Sequence, residues 1–284
     1  MNYGGLPKEF SGFATSEIVI VPVPYDGTST WIKGADRGPA ALLEASANME
    51  LYDIETDSEV FKRGIYTSKA IRENNSPENM TAAVYEKIIN YLNENKFVVT
   101  IGGEHSVSIG AVKAHAEKYP DLSVLQIDAH TDLRPEYEGS RYNHACVMSR
   151  VKEFCKAVQV GIRSMDAEEK KFLEPGRVFF AREMQYDDTW MDKAIEQLTQ
   201  NVYLTFDLDG LDPSILPATG TPEPGGLLWH QTTRFLRKVI DKKNLIGFDV
   251  VELCPDESNK TSDFLAAKLV YKILSYKFLN NVKP

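Results

Sequence analysis

In LQIDAHTD, Asp128, His130 and Asp132 fall on alternate positions after an apolar run; in VYLTFDLDGLDP, Asp207 and Asp209 do the same. A further histidine, His105, follows the apolar run in FVVTIGGEHS, and Glu252 closes the run in IGFDVVELCP. Side chains two apart on an extended chain point the same way. Asp128 therefore shares a face with His130, and Asp207 with Asp209; Asp132 joins the first pair if the chain stays extended. Burying unpaired carboxylates costs several kcal/mol each. Four aspartates and two neutral histidines carry four negative charges, which two divalent cations cancel and one only halves. The oxygen-rich donor set suits Mn²⁺, and zinc is compatible by ligand type. Two such ions ~3.5–4 Å apart can share carboxylates and lower the pKa of a water between them. Taken singly, a strand-end aspartate is a turn former and a histidine a satisfied polar residue. Those uses do not account for the joint pattern.

Other chemical motifs fail on spacing. FDLDGLDP lacks the ligand ladder and closing Glu of a calcium loop. IGGEHSVSIG has neither the P-loop lysine nor the GxGxxG order, and Glu104 precedes His105, so HExxH is absent. Cys254 has no partner that would make it a nucleophile and reads as a packing residue.

The elements that must position these groups alternate along the chain. Strands are expected at 17–24, 97–101, 123–129, 157–161, 176–181, 201–207 and 244–253. Helices are expected at 38–53, 81–96, 147–154, 189–200, 230–241 and 263–279, with another after GGEHS. The alternation predicts an α/β chain with a parallel sheet covered by helices on both faces. Residues 1–284 read as one domain, with long loops at 25–38, 133–144 and 210–228. Ligand sites in such sheets lie beyond the carboxyl ends of the strands, where the polar clusters sit. His115 is expected to be exposed in mid-helix and His230 to sit near a helix start; neither is given a role.

The charge of -9 on 284 residues carries no basic patch, so a nucleic-acid partner is not expected. Three cysteines without CxxC spacing (Cys146, Cys155, Cys254) point to a reducing compartment, the cytoplasm. No signal peptide or membrane-spanning run is read, so no membrane partner is expected.

The pieces GGEHS (102–106), DAHTD (128–132) and TFDLDGLDPSILPATGTPEPGG (205–226) together resemble the ureohydrolase (arginase/agmatinase) family. VPYDGTSTWIKGADRGPAAL and VVELCP fit as well, so the resemblance covers most of the chain. It implies a three-layer α/β/α sandwich with a mainly parallel sheet, two Mn²⁺ per subunit and a homo-oligomer, trimer or hexamer. It assigns His105, Asp128, Asp132 and Asp207 to one metal and Asp128, His130, Asp207 and Asp209 to the other, with Asp128 and Asp207 bridging. A hydroxide held between the metals would attack the guanidinium carbon of a small cationic substrate. Asp132 would orient it, His144 would shuttle a proton to the leaving amine, and Glu252 would grip the guanidinium through paired N–H···O bonds.

The loop LRPEYEGSRYNHACV places Arg134 where arginases carry asparagine, and looks like bacterial and archaeal agmatinases. Agmatine, giving putrescine and urea in polyamine biosynthesis, is therefore the expected substrate. Aminopropylagmatine, arginine and guanidinobutyrate are alternatives. Glu136 and Glu138 would add negative potential near the mouth, although either alone reads as a solvated charge. Ala218, Ala145 and Cys254 depart from the commonest family residues and bear on pocket shape. Two other classes were weighed: a dinuclear phosphoesterase, drawing on Arg134, Arg141 or Arg163 for phosphate charge, and a non-catalytic polyamine-binding protein.

Overall fold

The structure, a computed structural model, describes residues 1–279. Eight parallel strands form one sheet: β1 (Ile18–Val23), β2 (Ile65–Thr67), β3 (Phe97–Gly102), β4 (Leu122–Ile127), β5 (Lys156–Ile162), β6 (Val178–Phe180), β7 (Asn201–Asp207) and β8 (Asn244–Val251). Their spatial order is β2-β1-β3-β8-β7-β4-β5-β6. The helices are α1 (Lys8–Ser11), α2 (Gly38–Ser46), α3 (Pro77–Asn93), α4 (Val107–Lys118), α5 (Val147–Val151), α6 (Thr189–Gln197), α7 (Trp229–Lys242) and α8 (Thr261–Phe278). Among the described residues no helix is long and apolar enough to cross a membrane.

Strand alternation builds two cores. Ile20, Val99, Phe248, Leu204, Leu125 and Val158 stand side by side across five strand pairs and pack on one face against residues of α2, α6, α7 and α8. Val19, Val98, Tyr203, Val124 and Ala157 occupy the neighbouring row on the other face, against α3, α4 and α5. The sheet between two helical layers is the expected architecture. Ser76 caps α3 by accepting the Asn79 N–H, and Pro77 fills its first turn.

The helix begun at Gly38 stops at Ser46 rather than continuing to Asp53. The chain beyond is pinned in another form: Leu51 accepts the Tyr271 hydroxyl, and Asp53 takes the Lys272 ammonium at 2.9 Å and the Thr56 N–H. Strand β2, only three residues long, was not anticipated.

His115 is fully buried, not exposed. In the second row of the sheet, β8 contributes Gly247, which has no side chain, and the imidazole of His115 fills that gap. A Cβ at Gly247 would lie 2.3 Å from its Nε2. The ring packs 4.6 Å from Tyr203 and donates from Nδ1 to the Ala111 carbonyl at 2.8 Å. Burial pushes its pKa down from 6.5 to about 4. The unfolded chain therefore takes up this proton first, and stability falls as pH drops from 6.5 toward 4, by roughly 3 kcal/mol from this group. Above pH 6.5 its effect is constant. His115→Leu should lose that part of the acid sensitivity. Parallel curves of unfolding free energy against pH for the two proteins would contradict the assignment. His230 lies in the first turn of α7, as expected.

Candidate active site

The four central strands, β3, β8, β7 and β4, end side by side. From their ends come His105, Glu252, Asp207 with Asp209, and Asp128 with His130 and Asp132. These side chains converge, although not all of them from extended backbone. Strand β4 stops at Ile127, and Asp132 has a φ of 50°, so the extended run breaks before it. A left-handed turn brings its carboxylate back to 2.9 Å from His105 Nδ1. Buried Glu169 holds that turn from both sides, accepting the Thr131 hydroxyl and the Leu133 N–H, each at 2.7 Å. Asp209 likewise lies in a short 3-10 turn beyond β7.

Three of the aspartates spend one oxygen on the local backbone and turn the other inward. Asp207 Oδ1 accepts the Asp209 N–H at 2.9 Å, Asp209 Oδ1 the Ala129 N–H at 3.0 Å, and Asp128 Oδ1 the His130 N–H at 2.6 Å. Their Oδ2 atoms then meet the histidines. Around His105 Nδ1 lie Asp132, Asp128 and Asp207 at 2.9, 3.2 and 3.3 Å. His130 Nδ1 is 3.0 Å from Asp209 Oδ2. Two groups with metal-ligand spacing result, His105–Asp128–Asp132 and Asp128–His130–Asp209, with Asp128 in both. Asp207 adjoins the first.

The His105 ring shows what this space accommodates. Thr205 gives its hydroxyl hydrogen to Asp249 at 2.7 Å and so accepts from His105 Nε2 at 3.0 Å. Nδ1 is then a lone pair, buried and without a hydrogen-bond partner, facing three carboxylates. Either a proton on Nδ1 or a metal ion relieves that juxtaposition: burial is outweighed by the Asp128 and Asp132 carboxylates, which raise the His105 pKa well above its ordinary value. Burial and neighbouring carboxylates push Asp207 and Glu252 well above the usual carboxylate range and Asp132 up to about 7. Bound cations would reverse that pressure. The donors present thus fit divalent metal.

A polar layer that no sequence motif marks lies beneath the site. Thr100, Asp249, Thr205, Gln126 and Gln159 are buried and paired in register across β3, β8, β7, β4 and β5. Gln126 donates to Asp128 Oδ2 at 2.6 Å and accepts from Gln159, while Asp249 also accepts the Tyr203 hydroxyl at 2.8 Å. The signal was there: a polar residue interrupts the apolar run of each of these strands at this level.

A cavity of about 330 Å³ opens onto the ligands. Glu252 and His144 line it, together with Trp31, Ile32, Arg134, Tyr137 and Asp166. Glu252 has a φ of 66°, and its Oε1 accepts the His105 N–H at 2.7 Å. Its Oε2 accepts no bond from the described residues. Asp132 and Glu252 are two of five non-glycine residues with positive φ among the described residues, and both sit where the surrounding bonds hold the backbone. His144 stands apart from the ligands, and burial lowers its pKa to about 4. Glu136 and Glu138 are exposed and do not line the cavity; besides Glu252 and the candidate ligands, Asp166 and Glu169 supply its acidic groups. Arg134 stacks 4.4 Å over Tyr137 and pairs with Asp166 at 3.3 Å. Arg163 is consumed by backbone carbonyls, including Asp209 at 2.6 Å, and Arg141 pairs with Glu153 at 2.8 Å. Of the three, Arg134 alone lines the cavity, and it is paired with Asp166.

Residues 16–275 match the family model described as the arginase family, and the chain belongs to that family. It is 40% identical to an N(1)-aminopropylagmatine ureohydrolase of Synechocystis sp., over 95% of this chain and 94% of the relative. An agmatinase of Pyrococcus horikoshii is 32% identical over 91% of each chain. The crystal structure of agmatine ureohydrolase of Thermoplasma volcanium superposes with a TM-score of 0.87 at 28% identity, covering 100% of this chain and 97% of that one. The chain is thus a ureohydrolase of the agmatinase and aminopropylagmatine type.

Proposed function

We propose that the chain hydrolyses the guanidinium end of a linear aminoalkylguanidine, releasing urea and the corresponding amine. The observation that carries this is the convergence of Glu252 Oε2, the two Asp/His groups and His144 on one cavity. His105, Asp128, Asp132, Asp207, His130 and Asp209 would hold two Mn²⁺, with Asp128 within reach of both. When bound, the ions supply Lewis acidity and a hydroxide near neutral pH. Glu252 receives guanidinium N–H groups and sets the carbon toward the ligand cluster. Asp132 accepts a hydrogen bond from the attacking oxygen and orients it. His144 starts neutral, takes up a proton and passes it to the departing nitrogen, which leaves poorly as an anion.

The loop after Asp132 points to agmatine. The names of the more similar relatives, at 40% and 36% identity, favour N(1)-aminopropylagmatine. The exposed mouth at Trp31 and Ile32 supports the longer chain as the first substrate, with agmatine second. The products would be spermidine and putrescine respectively. We place this activity in the cytoplasm, in a single domain of residues 1–284 that assembles as a trimer or hexamer, on the family resemblance and the three free cysteines.

The test is urea release by Mn²⁺-loaded protein given aminopropylagmatine, agmatine, arginine and guanidinobutyrate side by side. The longer amine should give the highest kcat/KM. Arginine as the best substrate would overturn the reading of the loop at Arg134. Substrate binding without urea would favour a polyamine-binding protein.

A further inference from the structure

The motifs VPYDGTST and GGEHS each contain a residue that the metal site does not use, Thr28 and Glu104. They meet at His144. Glu104 is fully buried. Its Oε1 accepts the Ser106 hydroxyl and its Oε2 the Thr28 hydroxyl, both in short contacts. Thr28 has one hydrogen to give, and Glu104 takes it. Its oxygen therefore acts only as an acceptor toward His144. It receives the His144 backbone N–H at 2.9 Å and lies 3.2 Å from ring Nδ1. Glu104 Oε2 is itself 3.9 Å from Nδ1, so the hydroxyl stands between carboxylate and imidazole. Tyr137 borders the ring edge-on, with centroids 6.2 Å apart.

We propose that Thr28, its hydroxyl aimed by Glu104, is a positioning residue that keeps the hydrogen of neutral His144 on Nδ1 and leaves Nε2 as the basic atom. The direction of one hydroxyl decides this. A hydroxyl free to turn would offer its hydrogen to Nδ1 and favour the other tautomer, whose Nε2 cannot accept a proton. One oxygen bonded to both the backbone and the ring of the same residue also limits ring rotation. This inference rests on the proton-transfer role of His144 proposed above, and the test separates the two.

Thr28→Val keeps the shape and removes the hydroxyl; Thr28→Ser keeps the hydroxyl. In Mn²⁺-loaded protein, Thr28→Val should lower kcat on the order of 10- to 100-fold, a share of what a positioned acid–base group contributes, with KM and metal content unchanged. Thr28→Ser should restore most of it. On a His144→Ala background, Thr28→Val should cost nothing further, because the two act as a unit. In ¹⁵N-histidine-labelled protein loaded with diamagnetic Zn²⁺, His144 should carry its hydrogen on Nδ1, and Thr28→Val should shift the population toward Nε2–H. An unchanged kcat in Thr28→Val, an equal loss on both backgrounds, or an unchanged tautomer would overturn the proposal. A fully active His144→Ala would instead remove the role assigned to His144, and the tautomer measurement would still decide what Thr28 does.

Discussion

Asp128→Ala is expected to bind neither Mn²⁺ ion and to lose turnover by at least about 10⁴-fold, more than ~5 kcal/mol of barrier. The size follows from its position. Among the described residues Asp128 stands in both groups with metal-ligand spacing, so its removal breaks each of them. It also has no substitute nearby: the other three aspartates already direct one carboxylate oxygen apiece to the two histidines. The loss is local as well, because Asp128 Oδ1 fixes the His130 N–H and its Oδ2 is held by Gln126. Metal analysis of the purified variant beside a urea assay is the check. Normal Mn²⁺ stoichiometry would remove Asp128 as the shared ligand. Asp207→Ala should behave in the same way if its carboxylate also bridges. Loss of a single ion there would confine Asp207 to the His105 side, where its Oδ2 lies 3.3 Å from Nδ1.

Glu252→Gln separates metal binding from substrate binding. The glutamine carbonyl can still accept the His105 N–H, which Glu252 Oε1 accepts at 2.7 Å, so the ligand set should stay in place. The other carboxylate oxygen becomes an NH₂ group. A charge-assisted acceptor is then replaced by a donor that faces the N–H groups of the guanidinium. The lost bonds and the new opposition together should lower kcat/KM by roughly 10³-fold, about 4 kcal/mol. Full Mn²⁺ occupancy with that loss supports the assignment. Unaltered kcat/KM would refute it.

Much of the site was legible because its residues are acids and histidines at strand ends, where chemistry and spacing coincide. Asp128, His130, Asp207, Asp209 and His105 announce themselves in this way. The central strands were equally plain, since buried parallel strands read as continuous apolar runs. The turn at Asp132 could not be read, because its φ of 50° comes from the clamp of Glu169, a residue distant in sequence. His115 was misplaced for a related reason: nothing in its helix marks it as buried, and the missing side chain at Gly247 makes room for its imidazole. Thr28 and Glu104 gain meaning only once the loop after β1 and the turn after β3 meet at His144.

The buried polar row through Thr100, Asp249, Thr205, Gln126 and Gln159 bears on how the chain finds its fold. Parallel strands made of valine, isoleucine and phenylalanine are nearly interchangeable along their length, and such sheets are prone to pair out of step. Here a slip by one residue would push an amide or a carboxylate into the apolar layer beneath α7 and α8. A slip by two would leave the same groups facing helices with no polar neighbour across the strand. The row therefore penalises every misaligned pairing of these strands. The chain cannot close its central strands in the wrong step without burying unmatched polar groups, and closing them correctly brings the metal ligands to one level.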